Sequence, residues 1–337
     1  MTNYCSYSVV IRTLGSTGSK YRTLIDSIFS QTIQPEEIIV VLPEGYSLDY
    51  VSGRERIVYS KKGMVSQRAV GISECTSEYM LVCDDDIEFG PTMVEDLHAY
   101  AVDNGLDCCL PMEGQASDSE QTHINLGALS LKARLRGAFT GQVFVSKKKS
   151  PFLDIITKTA GHKIFVNSNR IDTCYQVQCG CFQCFFAKTS SAKTVHFEDE
   201  TWLEEGTVTQ YASYDDPTFY YKMYLQGGKA AYSLATRYTH LDATAGRPDK
   251  TLLDSKITRY YSVARNRTIF WYKFIYQNQK SLIAKTIAII CGIYGTVNYS
   301  LWNIAICIMP KYWPAISAMW KGYIDANRLI LHNKNTR

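Results

Sequence analysis

Several motifs are missing from this sequence of 337 residues. Its glycine-rich segment GSTGSK, residues 15–20, does not have the spacing of a P-loop. Four cysteines lie close together between Cys174 and Cys184, but their spacing matches no common zinc module. No DNA- or RNA-binding motif accompanies the basic residues near the C-terminus. These absences argue against nucleic acid as a partner, and they favour buried thiols over a zinc site.

The first residues, MTNYCSYSVV, do not read as a basic and then apolar leader. The chain has 11 cysteines, an odd number, and secreted disulfide scaffolds are smaller. We therefore expect a cytoplasmic protein with reduced thiols.

Charge is distributed unevenly along the chain. The net charge is +4, yet residues 246–337 carry 14 lysines and arginines against Asp249, Asp254 and Asp325, a net charge of +11. Such an excess predicts that this part of the chain faces an anionic surface.

Strand-like and helix-like segments alternate in the first hundred residues. The predicted strands are 7–13, 36–43, 54–60 and 79–86, and the predicted helices are 19–32 and 61–77. This alternation predicts an α/β fold with a doubly wound, mostly parallel sheet, in which ligands bind beyond the carboxyl ends of the strands. Residues 113–170 show no clear period, and we expect a solvated loop there, narrowly ahead of an acceptor-binding flap.

Three consecutive aspartates, Asp84, Asp85 and Asp86, follow the apolar run of the predicted strand 79–86. Adjacent carboxylates raise one another's pKa unless a positive charge lies between them. Either the strand ends in solvent or the aspartates hold a cation. The position at the ligand-binding edge of an α/β sheet favours the cation.

In order and spacing, these segments resemble the family 2 glycosyltransferases, which have the GT-A fold. The resemblance covers roughly residues 6–100 and 172–275. It includes YMLVCDDDIEFGP, similar to the metal-binding D-x-D strand end, and YDDPTFYYKMYLQGGKAAY, similar to the acidic pair before a helix. It implies a GT-A catalytic domain over residues 1–245 and a helical extension over residues 246–337.

The resemblance also implies the metal ligands and the general base. Asp86 and His240 would bind Mn²⁺ or Mg²⁺, with Asp84 toward the ribose or a metal-bound water. Asp216, the second acid after Asp215, would be the base that deprotonates the acceptor hydroxyl. Two alternatives stay open, because His240 also suits a core or surface position and Asp216 also suits a helix N-cap.

Donor binding departs from the family pattern. The family's acidic pair after the second strand is replaced by Leu42 and Pro43, so Glu44 is the one candidate there. Among further candidates at the donor site, Lys62 and Arg68 suit the diphosphate, and Thr13 ends the first strand. These are the predicted cofactor-binding residues, together with Asp84.

The segment RYYSVARNRTIFWYKF, residues 259–274, resembles rhamnosyltransferase-like members of the family. Arg265 and Arg267 are expected to grip a diphosphate or the acceptor, together with Asp215. Residues 286–310 carry no charge. We expect an interfacial membrane attachment there, ahead of ordinary packed helices and of a transmembrane helix.

The sequence therefore predicts an inverting, metal-dependent glycosyltransferase at the inner face of the cell membrane. It would move a sugar from a nucleotide-sugar donor to a glycan acceptor, carried on a polyprenyl diphosphate, in surface polysaccharide synthesis. The alternatives are a non-catalytic scaffold of the same fold and a nucleotidyltransferase.

Overall fold

In the computed structural model of the chain, residues 5–114, 130–165, 174–205, 211–241 and 252–335 are described. The chain forms two compact units. The first comprises Met1–His123, Ser168–Trp202 and Phe219–Pro248, and the second comprises Ile124–Asn167, Leu203–Thr218 and Asp249–Arg337. The predicted domain boundary after residue 245 lies outside the described residues and stays a prediction.

The strands and helices follow one another along the chain. In order they are β1 (Tyr7–Arg12), α1 (Ser19–Phe29), β2 (Glu37–Pro43), β3 (Glu55–Ser60), α2 (Met64–Glu74), β4 (Tyr79–Asp84), β5 (Ile87–Phe89), α3 (Met93–Asn104), β6 (Cys108–Glu113), α4 (Leu131–Phe139), β7 (Val143–Ser146), β8 (Phe152–Ile156), β9 (His162–Phe165), β10 (Tyr175–Val177), β11 (Cys184–Lys188), α5 (Thr189–Thr194), a 3₁₀ helix (Phe197–Leu203), α6 (Asp215–Leu225), β12 (Ala230–His240), α7 (Leu252–Phe270), a π-helical segment (Trp271–Tyr276), α8 (Leu282–Ile306), a short 3₁₀ turn (Pro310–Tyr312) and α9 (Trp313–Asn335).

The first unit contains a mixed sheet with the strand order β3-β2-β1-β4-β11-β6-β12-β10, and β5 pairs with β12. Strands β3, β2, β1 and β4 run parallel, as do β6 and β12, whereas β11, β10 and β5 run antiparallel to their neighbours. Each of the four strands predicted from the sequence is present. The α/β prediction is therefore confirmed.

The centre of this sheet is buried on both faces, because β1 and β4 carry apolar side chains at nearly every position. Val9 and Ile11 of β1 and Leu81 of β4 are completely buried. Helix α2 lies so close that a Cβ on Gly71 would be 2.3 Å from Val10 Cγ1. Glycine is needed at this helix position for close approach rather than for a special φ.

The second unit corrects one expectation. Residues 113–170 were expected to form a solvated loop, but within them lie α4 and three strands, of which β9 pairs parallel with β7 and antiparallel with β8. These strands have four or five residues and are mostly half-buried. Short, half-buried strands do not show a clear period-two pattern, and this explains the error.

Helices α7 and α9 pack against each other in the second unit. A Cβ on Gly322 of α9 would lie 2.5 Å from the carbonyl oxygen of Tyr261 on α7. The cluster between the helices includes Tyr260, Ala264 and Met319. Among the described helices, α8 alone is long and apolar enough to cross a membrane, with 17% of its most apolar window buried. The C-terminal helical extension predicted from the sequence is thus present.

All eleven cysteines are free thiols. Cys184 is buried in β11, as expected for a thiol in a strand, but Cys179 and Cys181 lie in the segment before β11 and are half-buried. The buried thiol favoured from the sequence is thus found at Cys184, whereas Cys174, Cys179 and Cys181 are half-buried.

Candidate functional site

The carboxyl ends of β1 and β4 place Arg12 and Asp84 in register. Arg12 Nη2 donates to Asp84 Oδ1 at 2.9 Å, and Arg68 Nη2 from α2 donates to the same oxygen at 3.3 Å. Burial alone would raise the pKa of Asp84, but the charges of Arg12 and Arg68 outweigh it, so the pKa is lowered. Asp84 is therefore held as a carboxylate by two guanidinium groups.

Asp85 has a different set of partners. Thr13 Oγ1 donates to its carboxylate, and Thr17 Oγ1 donates to it at 3.2 Å. Burial raises the pKa of Asp85 to about 6, although the hydrogen bond from Thr13 acts in the opposite direction. Thr13 Oγ1 also accepts from the backbone N–H of Gly15 at 2.8 Å, which anchors the loop after β1. The predicted donor-site residue Thr13 thus contacts Asp85.

Asp86 meets His240 from another strand. Antiparallel pairing of β5 with β12 sets His240 opposite Ile87, the residue after Asp86. The distance from His240 Nε2 to Asp86 Oδ1 is 3.4 Å, and the Leu241 N–H donates to the Asp86 carbonyl at 2.7 Å. Burial raises the pKa of Asp86, and the nearby His240 lowers it in part. The structure therefore brings the two predicted metal ligands together.

The Asp86–His240 pair fits a divalent cation of the Mg²⁺ or Mn²⁺ type. Two ligand atoms bound at right angles to one cation, each at about 2.1 Å, lie about 3.0 Å apart. The observed 3.4 Å between carboxylate oxygen and imidazole nitrogen needs only a slightly wider angle. Mg²⁺ typically takes one or two carboxylates and keeps its other positions for water and substrate phosphates. The imidazole suits Mn²⁺ as well.

The remaining predicted donor residues lie at neighbouring strand ends or on α2. Glu44 follows β2 and is exposed. Lys62 follows β3, is exposed, and donates from Nζ to the Tyr46 hydroxyl at 2.6 Å. Arg68 is 3% exposed, with its guanidinium 4.5 Å from the centre of the Phe182 ring. Arg68 is therefore placed to position Asp84, and its predicted contact with a diphosphate stays a prediction.

Asp215 and Asp216 form the first turn of α6, in the second unit. Asp215 is buried and Asp216 is half-buried. The preceding residue, Tyr214, has a φ of 74°, which is uncommon for a bulky side chain. Acidic residues in a first turn also stabilise the helix through its dipole, so the structural alternative for Asp216 stays open.

Arg265 and Arg267 of α7 are buried in the second unit. Arg267 Nη2 donates to the carbonyls of Gly141 and Thr159, both at 2.9 Å, and Nε donates to Thr159 at 3.1 Å. Arg265 Nη1 donates to Asn266 Oδ1 at 2.7 Å. Both guanidinium groups therefore donate hydrogen bonds to other residues of the second unit. This geometry favours a structural role over the predicted grip on a diphosphate.

Two polar residues that organise the strand ends could not be predicted from local sequence pattern. Arg12 belongs to an otherwise apolar strand, and only the register of β1 with β4 sets it opposite Asp84. Gln67, 1% exposed, donates from Nε2 to the carbonyls of Thr13 and Val41 at 2.8 and 2.9 Å. Gln67 therefore ties together the ends of β1 and β2. A polar residue on the buried face of α2 was the available signal.

Comparison with protein families finds a match over part of the sequence. Residues 8–152, less than half of the chain, match the model of glycosyl transferase family 2. No curated protein matches the sequence.

Solved structures give wider matches at low identity. The structure of S. aureus TarS 1–349 has a TM-score of 0.52 at 13% identity, covering 95% of this chain and 80% of that chain. GalNAc-T7, solved with UDP, GalNAc and Mn²⁺, has a TM-score of 0.49 at 13% identity, with 90% of this chain and 57% of that chain covered. The mannosyltransferase PcManGT from Pyrobaculum calidifontis, with GDP-Man and Mn²⁺, has a TM-score of 0.49 at 11% identity, covering 96% and 88%. The likeness to TarS, with the match over 8–152, supports the predicted fold class.

Proposed function

We propose that this chain is an inverting, metal-dependent glycosyltransferase that transfers a hexose-type sugar from a nucleotide-sugar donor to a glycan acceptor. The observation that carries the proposal is the convergence of Asp86 and His240, 3.4 Å apart, at the carboxyl end of β4. In an α/β sheet this is the edge where ligands bind. The match of residues 8–152 to glycosyl transferase family 2 supports the same reaction.

The strand-end residues explain how a nucleoside diphosphate would be held. A divalent cation bound by Asp86 and His240 would stabilise negative charge on the departing diphosphate. Arg12 and Arg68 keep Asp84 ionised and fix its orientation, so that its second oxygen stays available to a ribose hydroxyl or a bound water. Thr13 and Thr17 orient Asp85 in the same way.

Asp216 is proposed as the general base. A carboxylate within hydrogen-bond reach of the acceptor hydroxyl can take its proton as the oxygen attacks the anomeric carbon. With Asp216 as the base and no covalent intermediate in the proposal, the transfer is a single displacement that inverts the configuration.

The test is a panel of nucleotide sugars incubated with the protein and Mn²⁺, with nucleoside diphosphate release as the readout. We expect release from one donor and a loss of at least about 100-fold in Asp86→Asn, because electrostatic stabilisation of the leaving charge contributes this much or more. Asp103→Asn, an exposed change on α3 that removes the same charge, should leave the rate unchanged.

If no nucleoside diphosphate is released, a binding measurement distinguishes slow hydrolysis of the donor from the absence of a donor site. Calorimetry with UDP, GDP and dTDP, with and without Mn²⁺, should show metal-dependent binding that Asp86→Asn abolishes. If no nucleoside diphosphate binds in the presence of Mn²⁺, the enzyme proposal fails and a non-catalytic scaffold is the remaining reading.

We also propose that α8 attaches the protein to the cytoplasmic face of a membrane, where a lipid-linked acceptor would be found. Large apolar side chains along α8 are exposed, among them Leu282, Ile283, Ile290, Ile293 and Leu301. Exposed apolar area of this extent marks an interaction surface. The net charge of +11 over residues 246–337 suits an anionic leaflet.

Vesicle sedimentation tests the attachment. We expect binding to vesicles that contain phosphatidylglycerol, and a large reduction in the double variant Ile290→Glu/Leu301→Glu. Val102→Glu, which adds a charge at an exposed apolar position of α3, is the matched control and should bind normally. Equal binding by all three proteins would contradict the role of α8.

A further inference from the structure

A second candidate binding site lies within the second unit, among α4, α7 and α8. It is a pocket of about 200 Å³ whose lining includes three basic side chains, Arg136, Lys256 and Arg259, and three aromatic ones, Tyr260, Tyr299 and Trp302. Among the described residues that line it, none is acidic. The pocket therefore has a positive charge that its own lining does not neutralise.

Two of the three basic side chains lie over aromatic rings. The guanidinium of Arg136 lies 5.8 Å from the centre of the Trp302 ring, and Lys256 Nζ lies 4.1 Å from the centre of the Tyr312 ring. Within the described part of the chain, Arg136 and Arg259 form no ion pair. Lys256 and Arg259 are three residues apart on α7, so their like charges repel on one helix face. An anion between them would relieve this repulsion.

A buried donor points to the same kind of ligand. Trp302 Nε1 is buried, and no hydrogen-bond acceptor reaches it within the described residues. A buried donor without an acceptor is rare in folded proteins and needs an explanation. An oxygen of a bound anion in this pocket would supply the missing acceptor.

The pocket and the exposed apolar side chains share helix α8. Tyr299, Trp302 and Asn303 line the pocket and belong to α8, whose neighbouring residues Leu301 and Ile304 are exposed. A ligand with an anionic group and a long apolar chain could contact both the basic pocket and the exposed apolar side chains of α8. A free phosphate could contact only the pocket.

We propose that the pocket of Arg136, Lys256 and Arg259 binds the diphosphate of a lipid-linked acceptor, with its apolar chain along α8. This rests on the proposed glycosyl transfer to a lipid-linked glycan. In this proposal the diphosphate binds Lys256 and Arg259, which line the pocket. Arg265 and Arg267 do not bind it, because they donate hydrogen bonds to other residues of the chain. Guanidinium groups bind phosphate oxygens in bidentate geometry, and the ammonium adds a point charge.

Calorimetry with farnesyl diphosphate tests the site, with EDTA present so that no metal site takes the diphosphate. Farnesol and inorganic diphosphate are the comparison ligands. We expect farnesyl diphosphate to bind at least about tenfold more tightly than either, because it alone supplies both the charge and the chain. Inorganic diphosphate binding as tightly as farnesyl diphosphate would show a free-phosphate site and overturn the lipid assignment.

Variants then locate the binding. Lys256→Gln/Arg259→Gln should weaken farnesyl diphosphate binding at least about tenfold, since two charge-assisted contacts are lost. Lys147→Gln/Lys148→Gln removes the same charge at exposed positions of the second unit and should not weaken it. Trp302→Phe keeps an aromatic ring but removes the buried Nε1–H donor, and it should weaken farnesyl diphosphate binding several-fold. Equal weakening in the Lys147/Lys148 control, or no weakening in any variant, would overturn the proposal.

The outcome is separable from that of the proposed function. Nucleoside diphosphate binding with Mn²⁺, measured on the same Lys256/Arg259 variant, should equal that of the unchanged protein. A protein that binds nucleoside diphosphate but not farnesyl diphosphate would overturn the pocket alone. A protein that binds farnesyl diphosphate but no nucleoside diphosphate would overturn the transferase and keep the lipid site.

Discussion

Both units bury arginine, but they neutralise it differently. In the first unit, Arg68 pairs with the carboxylate of Asp84, which Arg12 shares. In the second unit, Arg267 donates to backbone carbonyls of Gly141 and Thr159. In a buried ion pair, the negative charge of the carboxylate neutralises the positive charge of the arginine. Carbonyl groups stabilise the guanidinium through their dipoles but leave its net charge in place.

The difference distinguishes arginines at the candidate site of the first unit from an arginine with a structural role in the second unit. A carboxylate partner carries a negative charge that can also attract a cation, so the arginines of the first unit belong to the candidate site at the strand ends. The carbonyls of Gly141 and Thr159 do not titrate, and their positions depend on the fold of residues 140–161. Arg267 therefore joins segments distant in sequence and stabilises the second unit.

The largest effect is expected at Arg267. Arg267→Met should lower the free energy of unfolding by about 3 kcal/mol, because buried carbonyls lose their donors at about 1–3 kcal/mol each. Urea unfolding followed by circular dichroism measures this. Arg267→Lys keeps the charge but not the forked donor set and should recover only part of the loss. If Arg267→Met leaves the midpoint unchanged, the scaffold role is wrong.

A smaller effect is expected at the strand ends. Asp84→Asn should cost about 1–2 kcal/mol, because the amide oxygen still accepts hydrogen bonds while Arg68 loses its counter-charge. Combining Asp84→Asn with Arg68→Met should cost less than the sum of the two single changes, which a double-mutant cycle in EDTA measures. Strict additivity would show that Arg68 and Asp84 do not stabilise each other.

The smallest effect is expected for Lys321–Asp325 on α9, an ion pair between an exposed lysine and a half-buried aspartate. Burial would raise the pKa of Asp325, but hydrogen bonds from Lys321 and Tyr261 lower it overall. Its stabilisation is therefore complete above the unfolded pKa of about 3.9 and is lost as the pH falls through the folded value. Asp325→Asn should cost under about 1 kcal/mol at pH 7. In urea unfolding the difference from the unchanged protein should shrink as the pH falls below about 3.9, and a difference that stays constant over this range would contradict the assignment.

Sequence reasoning succeeded where a local pattern decides the structure. The strands before Asp84 follow directly from their apolar runs, and the helix after the Asp215–Asp216 pair is the one that the resemblance implied. Gly227, with a φ of 88°, follows the end of this helix, where glycine is favoured. The proximity of Asp86 and His240 was expected from the resemblance, not from spacing, because β5 and β12 are far apart in sequence.

Sequence reasoning failed where tertiary context decides. The sequence predicted one strand over 79–86 whose three aspartates hold a cation, but β4 ends at Asp84, and Asp84 and Asp86 meet different partners. The arginine-rich pattern of α7 likewise gave no sign that Arg267 faces carbonyls while Arg259 faces a pocket. Their separation of eight residues places them at different heights along the helix, where different segments pack.

The free cysteines have a kinetic consequence. Cys83, Cys108 and Cys184 lie in adjacent strands of the first unit, where burial raises the pKa of each thiol well above its usual value. A thiol that is both protonated and inaccessible reacts with a disulfide reagent only after its strand opens. The rate at which a disulfide reagent labels these thiols thus measures how often the strands of the first unit open.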